Sequence, residues 1–158
     1  AALEAIAALK EYMPGCSAGK LRNFGMTIGI RDTYKIDSVY NLSDEDVKNE
    51  CRFEDSVGIY PEFIDGFGVL VLPTTGRYMH IPYRSLLPKN IKGLLVVGRA
   101  IGGSNIAHAA TRNMACCTVT GQGAGVAAAE TIKNKTSLNS VNISNVQKLL
   151  SKQNVRVF

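Results

Sequence analysis

Apolar and polar positions change period several times along this chain, and each change marks an element. The opening AALEAIAALKEYMPG places Ala, Leu and Ile at helical spacing and predicts a helix that stops before Pro14. From Leu21 to Tyr40 the text turns to short mixed runs rich in β-branched and aromatic residues, GMTIGIRDTYKIDSVYNL, which predicts strands. Ser43 followed three residues later by Asp46, with acidic residues between, predicts a capped short helix. Residues 51 to 85 return to strand-like text, VGIYPEF, GFGVLVLP and RYMHIPYRSL, broken by Gly and Pro at turn positions. One buried strand is expected over Gly93 to Val97, and a last helix over Ser144 to Lys152, where Val146, Leu149 and Leu150 recur at helical spacing after the polar linker NKTSLNS.

Between these lies the most distinctive stretch, Leu94 to Glu130, LLVVGRAIGGSNIAHAATRNMACCTVTGQGAGVAAAE. A strand ends at Gly98, a glycine turn follows, and then a helix-length run of small residues. A helix so thinly clad lies close to whatever it covers, a sheet or a cofactor, because little bulk separates its backbone from its neighbour. Its glycines do not form a phosphate-binding pattern: Gly98, Gly102 and Gly103 do not make GxGxxG, nor do Gly121, Gly123 and Gly125, and no GxxxxGK[ST] occurs.

Composition narrows the classes. At 158 residues, 46% hydrophobic and 20% charged, the chain is about one globular domain's worth. The net charge of +5 comes from scattered Lys and Arg without interleaved aromatics, which suits anionic ligands better than nucleic acid. Cys16, Cys51, Cys116 and Cys117 form no CxxC, and with only 2 His no zinc site is legible; free thiols in a reducing compartment such as the cytoplasm are expected. The longest uncharged stretch, Asn113 to Ala129, is too short and too rich in Gly, Thr and Gln for a membrane span.

HIPYRSLLPKNIKGLLVVGRAIGGSNIAHAATRNMACCTVTGQGAGVAAAETIK resembles the C-terminal part of FAD-dependent oxidoreductases of the fumarate reductase and succinate dehydrogenase flavoprotein type. Within them it looks most like a branch carrying an IPYRSLLP segment, a strand ending in Gly-Arg, and an arginine-led helix with a GQAAG-like core. GIRDTYKIDSVYNLSDEDVKNECRFEDSVGIYP resembles the same branch, and the likeness runs colinearly over about residues 10 to 155. It implies an α/β fold in three parts. Residues 1–92 would be the end of a β-rich, α+β substrate cap, and 93–135 the last strand and closing helix of a Rossmann-like FAD domain; 136–158 would be a linker and C-terminal helix. The pyrophosphate fingerprint and ribose-binding acid of such domains are not in these residues. The expected partners are therefore a small-molecule substrate and an N-terminal FAD-binding half, in cis or as a second chain, with the isolated fragment inactive.

The resemblance also implies roles for individual residues. Gly98 and Arg99 stand where the family meets the ribityl chain, although many relatives carry an acidic residue at the second position. The helix amides around Met114, Ala115 and Cys116 would face the flavin pyrimidine carbonyl, where a positive helix terminus stabilises the charge of the reduced ring. His108 and Arg112 share the HxxxR spacing of the HGANR text of fumarate reductases; Arg112 would clamp a substrate carboxylate and His108 would donate a proton or orient a ligand, the alternative being a histidine satisfied by local backbone. Tyr83 and Arg84 would line the substrate side, or Tyr83 would simply pack under the cap. Arg31 with Asp32 is either an anion site or a buried structural pair. Cys116 and Cys117 read as helix-packing residues. The whole is expected to pass a hydride between an organic, anionic substrate and flavin; the alternative is a non-catalytic flavoprotein remnant serving as a scaffold or partner-binding subunit.

Overall fold

The computed structural model describes residues 2–27, 29–66 and 68–158, with residue 69 described in its backbone only. They fall into two compact units, Ala1–Ile30 and Arg31–Phe158. In the first, helix α1 (Ala2–Tyr12) ends two residues before Pro14, as the ring of a proline disfavours helix in the residue before it. The chain then winds through single turns, with Met13, Cys16 and Gly19 donating to Leu9, Met13 and Cys16 and Gly15 at φ 82°. None of the residues of α1 is buried.

The second unit holds the core. Helix α2 (Asp44–Lys48) carries the expected capping box: Ser43 Oγ accepts from the Asp46 amide and the Asp46 carboxylate accepts from the Ser43 amide. Strands β1 (Ser56–Pro61) and β4 (Tyr78–Pro82) pair antiparallel, with a register shift between Ser56 and Ile59; β2 (Ile64–Gly66) and β3 (Val69–Val71) form a separate antiparallel hairpin. The strand text GFGVLVLP includes Phe67, which lies outside the described residues. Helix α3 (Asn105–Thr111) is followed directly by the long α4 (Met114–Asn134), and α5 (Ile143–Lys152) closes the chain.

What lets α4 lie on β1 is the absence of side chains at two crossing points. A Cβ on Gly123 would stand 2.6 Å from Val57 Cβ, and one on Gly58 would stand 2.6 Å from a Val119 methyl. Val57, Ile81, Leu86, Ala127, Val146 and Leu150 fill the interior around that contact. Gln147 on α5 ties the layers together by donating to the carbonyls of Glu54 and Ser56 at 2.7 and 3.0 Å. Mixed helices and small antiparallel sheets make the architecture α+β in arrangement, consistent with the α/β class. No helix among the described residues is long and apolar enough to cross a membrane.

Two strand expectations fail. Leu21 to Tyr40 forms no strand among its described residues; only Ser38 makes an isolated bridge, to Pro88. β-propensity measures the fit of a side chain to a half-covered pleated surface, and Phe24, Met26, Ile30 and Tyr34 have no such surface beside them and are exposed. Gly93 to Val97 is likewise neither a strand nor buried. Its backbone bond is Val96 N–H to Leu86 carbonyl at 2.9 Å, and an extended run becomes a strand only when a ladder satisfies its backbone. The small-residue run also divides in two. Asn113 is extended at φ −68°, ψ 145°, and its side-chain amide donates to the terminal carbonyls of α3, Ala109 and Ala110, ending that helix before α4 starts.

Candidate functional site

Helix α3 is anchored at its start and buried along its flank. Ser104 Oγ accepts from the Ala107 amide and donates to the Asp44 carboxylate of α2, while Ala107, Ala109 and Ala110 are in the core. That anchoring presents His108 and Arg112, four residues apart, on one helix face.

His108 is 2% exposed. Its Nδ1 makes no hydrogen bond, yet Asp32 Oδ2 stands 3.5 Å away. Burial holds the imidazole below its ordinary pKa; the Asp32 carboxylate opposes that effect, and Lys35 and Arg112 add to it. Asp32 is itself gripped by Lys35 Nζ at 2.9 Å, which holds its carboxyl below the usual range, with His108 and Arg112 contributing in the same direction.

Arg112 sits at the end of α3 and donates through Nη2 to the carbonyl of Asp65 on β2. It lies against Gly66, where an added Cβ would be 3.1 Å from that nitrogen. Its Nε is buried without a partner, and among the described residues no carboxylate forms an ion pair with it. Arg31 does not pair with Asp32, as one reading of the sequence expected; it reaches Asp65 Oδ2 at 3.6 Å with both side chains substantially exposed, a pair worth about 0–1 kcal/mol. The reason is competition, since Asp32 is already committed to Lys35 and to the His108 side.

Around these two side chains the structure gathers most of the remaining candidates. Gly98, at φ 71°, opens a 3₁₀ turn (Gly98–Ala100); its amide donates to Thr120 Oγ1 at 2.9 Å, and its Cα faces Cys117. Arg99 is exposed, and its backbone is a hydrogen-bond partner of the His108 ring that favours the charged form. Met114, Ala115 and Cys116 form the first turn of α4. Asn113 gives it no side-chain cap, because the Asn113 amide is turned back to α3. Met114 and Ala115 are exposed, whereas Cys116 is fully buried and its thiol is pushed far up by desolvation, so it contributes packing and a backbone amide rather than a thiolate. An open cleft of about 530 Å³, bounded in part by Lys35, Ser43, Gly103 and Ser104, adjoins the start of α3.

Tyr83 and Arg84 belong to another neighbourhood. Tyr83 is buried, its hydroxyl donates to the Leu138 carbonyl at 3.0 Å, and desolvation pushes its pKa up to about 12. Arg84 grips Asp55 through Nε and Nη2 at 2.9 and 3.2 Å and lies over the Tyr40 ring. Sequence reasoning considered Asp32 only with Arg31, as an anion site or a structural pair, and not with His108. The only signal for Asp32 was its place beside Arg31, which suggested the wrong partner.

The model of a family described as FAD dependent oxidoreductase matches residues 1–150. Neither the comparison with curated proteins nor that with solved structures returns a match.

Proposed function

The chain belongs to the FAD dependent oxidoreductase family, whose cofactor is FAD, and we propose that it forms the flavin-ring and substrate side of such an enzyme. In this reading it is the C-terminal part of a protein of the fumarate reductase and succinate dehydrogenase type, and residues 93–135 complete a Rossmann-like domain. The pyrophosphate fingerprint is supplied by residues outside this sequence, in cis or on a second chain.

The observation that carries the reading is the unsatisfied buried Nε of Arg112 at the end of α3, one helical turn from the buried His108 and beside the uncapped start of a 21-residue helix. A buried donor without a partner is uncommon and costly, about 1–3 kcal/mol, so a guanidinium nitrogen left bare here calls for a polar or anionic ligand. The donor set fits a flavin and an anionic substrate together. Bound FAD would supply the hydride-transfer chemistry at this site. The first-turn amides of Met114, Ala115 and Cys116 provide positive potential where negative charge develops. Arg112, preset by the Asp65 carbonyl, binds a carboxylate, and a guanidinium does so better than an ammonium because its fork matches two oxygens. His108, buried and held toward its neutral form, supplies a proton-exchanging group. Arg99 adds exposed positive charge at the rim.

The whole protein is expected to purify with a flavin absorbance band, or to gain one when FAD is added. A folded preparation that neither carries nor takes up FAD would overturn the reading and leave a scaffold or partner-binding role.

A further inference from the structure

Asp32 and His108 reach each other from separate segments, Asp32 from residues 31–37 and His108 from the middle of α3. Lys35 takes Asp32 Oδ1, and Oδ2 is the oxygen left 3.5 Å from His108 Nδ1. That nitrogen is buried, and no protein group hydrogen-bonds it. The carboxylate offsets the cost of burying Nδ1 only if Nδ1 carries the proton; a lone pair facing it would be repelled. A partner at one ring nitrogen thereby decides what the other can do.

Resting on the flavoprotein reading above, we propose that Asp32 is the positioning residue of His108: its carboxylate keeps the neutral ring's proton on Nδ1 and leaves Nε2 as the nitrogen that exchanges a proton during turnover. The step involves a proton alone. A charged ring releases the Nε2 proton to the substrate and is left as the neutral ring with Nδ1–H facing Asp32.

The charged surroundings agree with a single carboxylate setting this balance. Asp32 and Lys35 face the ring from residues 31–37, Arg112 from its own helix, and the Arg99 backbone from the 3₁₀ turn. Asp65 on β2 is engaged by Arg31, and Asp44 on α2 by Ser104. Burial, Lys35 and Arg112 all disfavour the charged ring; Asp32 favours it, and the hydrogen bond between the ring and the Arg99 backbone favours it to a smaller degree. Removing the carboxylate therefore lowers the proton affinity of His108 further.

The test is nitrogen NMR of the whole protein labelled with ¹⁵N-histidine. With 2 His in this chain, the His108 signals are identified as those that survive His80→Gln and vanish in His108→Gln. The expected spectrum of the unaltered protein is an Nδ1–H tautomer. Asp32→Ala shifts the His108 titration midpoint downward and abolishes the tautomer preference, and Asp32→Glu restores at least part of both. An Nε2–H tautomer in the unaltered protein, or an unchanged midpoint in Asp32→Ala, overturns the proposal. The tautomer of the unaltered protein needs no substitution, so a variant that fails to fold does not remove the test. Flavin absorbance is recorded on the same samples, so failure of the flavoprotein reading and failure of the Asp32–His108 pair are told apart.

Discussion

The middle of α4 and its first turn are built from the same small residues and do opposite things. In the middle, Gly123 removes the bulk that would keep the helix off Val57, Ala127 is fully buried, and Val119 fills the space left by Gly58. There, smallness is spent on close packing between helix and sheet. At the first turn, Met114 and Ala115 face outward, no side chain caps the amides, and Arg112 lies alongside with its Nε bare. Small residues alone therefore do not mark a ligand site. A charged donor left bare beside exposed helix amides does, because it is costly to keep and packing gives no reason for it.

The sharpest way to break the comparison is at Arg112. Hydrogen bonds to charged groups are worth about 1.5–3 kcal/mol, so Arg112→Ala should weaken binding of a small dicarboxylate probe, malonate, by about 10- to 100-fold. Titration calorimetry on the whole protein reads this directly, and an unchanged affinity would remove the anion-binding role from α3. Next comes the packed region. Gly123→Ala forces a methyl into the space of Val57 and should cost about 1–3 kcal/mol in urea unfolding, whereas a variant as stable as the parent would mean that α4 is not seated on β1 in this way.

A third substitution calibrates the support under the site. Although burial alone would raise its pKa, Asp46 is held below the ordinary 3.8 because the Ser43 amide and the Tyr40 hydroxyl, each at 2.8 Å, favour the charged form. Its stabilisation is therefore present above that ordinary value and is lost as pH falls through the lower folded value. Asp46→Asn should cost about 1 kcal/mol near neutral pH and flatten this part of the acid-unfolding curve. The smallest effect has the opposite sign. Apart from the backbone of its own helix and its chain neighbours, Gly121 has no atom within 4 Å of where a Cβ would sit, so Gly121→Ala should raise stability by about 0.5–1 kcal/mol, seen as a higher unfolding midpoint.

Much of the fold was legible from spacing. α1, the Ser43–Asp46 capping box, the hairpin text of residues 51 to 85 and α5 all appear close to where the pattern puts them, because each depends on contacts within a few residues or on a strong periodic face. The strands expected over 21 to 40 and 93 to 97 were not recoverable in that way, since a strand exists only through its neighbours. The site divides similarly. His108 and Arg112 share a face by helical spacing alone, while the separation of Tyr83 and Arg84 from them depends on where Leu138 and Asp55 come to lie.

By itself, the sequence determined the helices with their caps, the absence of a phosphate fingerprint within these residues, and the His108–Arg112 face of α3. These are local matters of spacing and residue chemistry. Only the tertiary structure decided that Gly123 answers Val57 rather than a ligand, that Arg31 turns to Asp65, and that Asp32 stands opposite His108. Those pairings join residues up to 76 positions apart, in the case of Asp32 and His108, and the choice among competing partners is made by packing and burial, which no local pattern encodes.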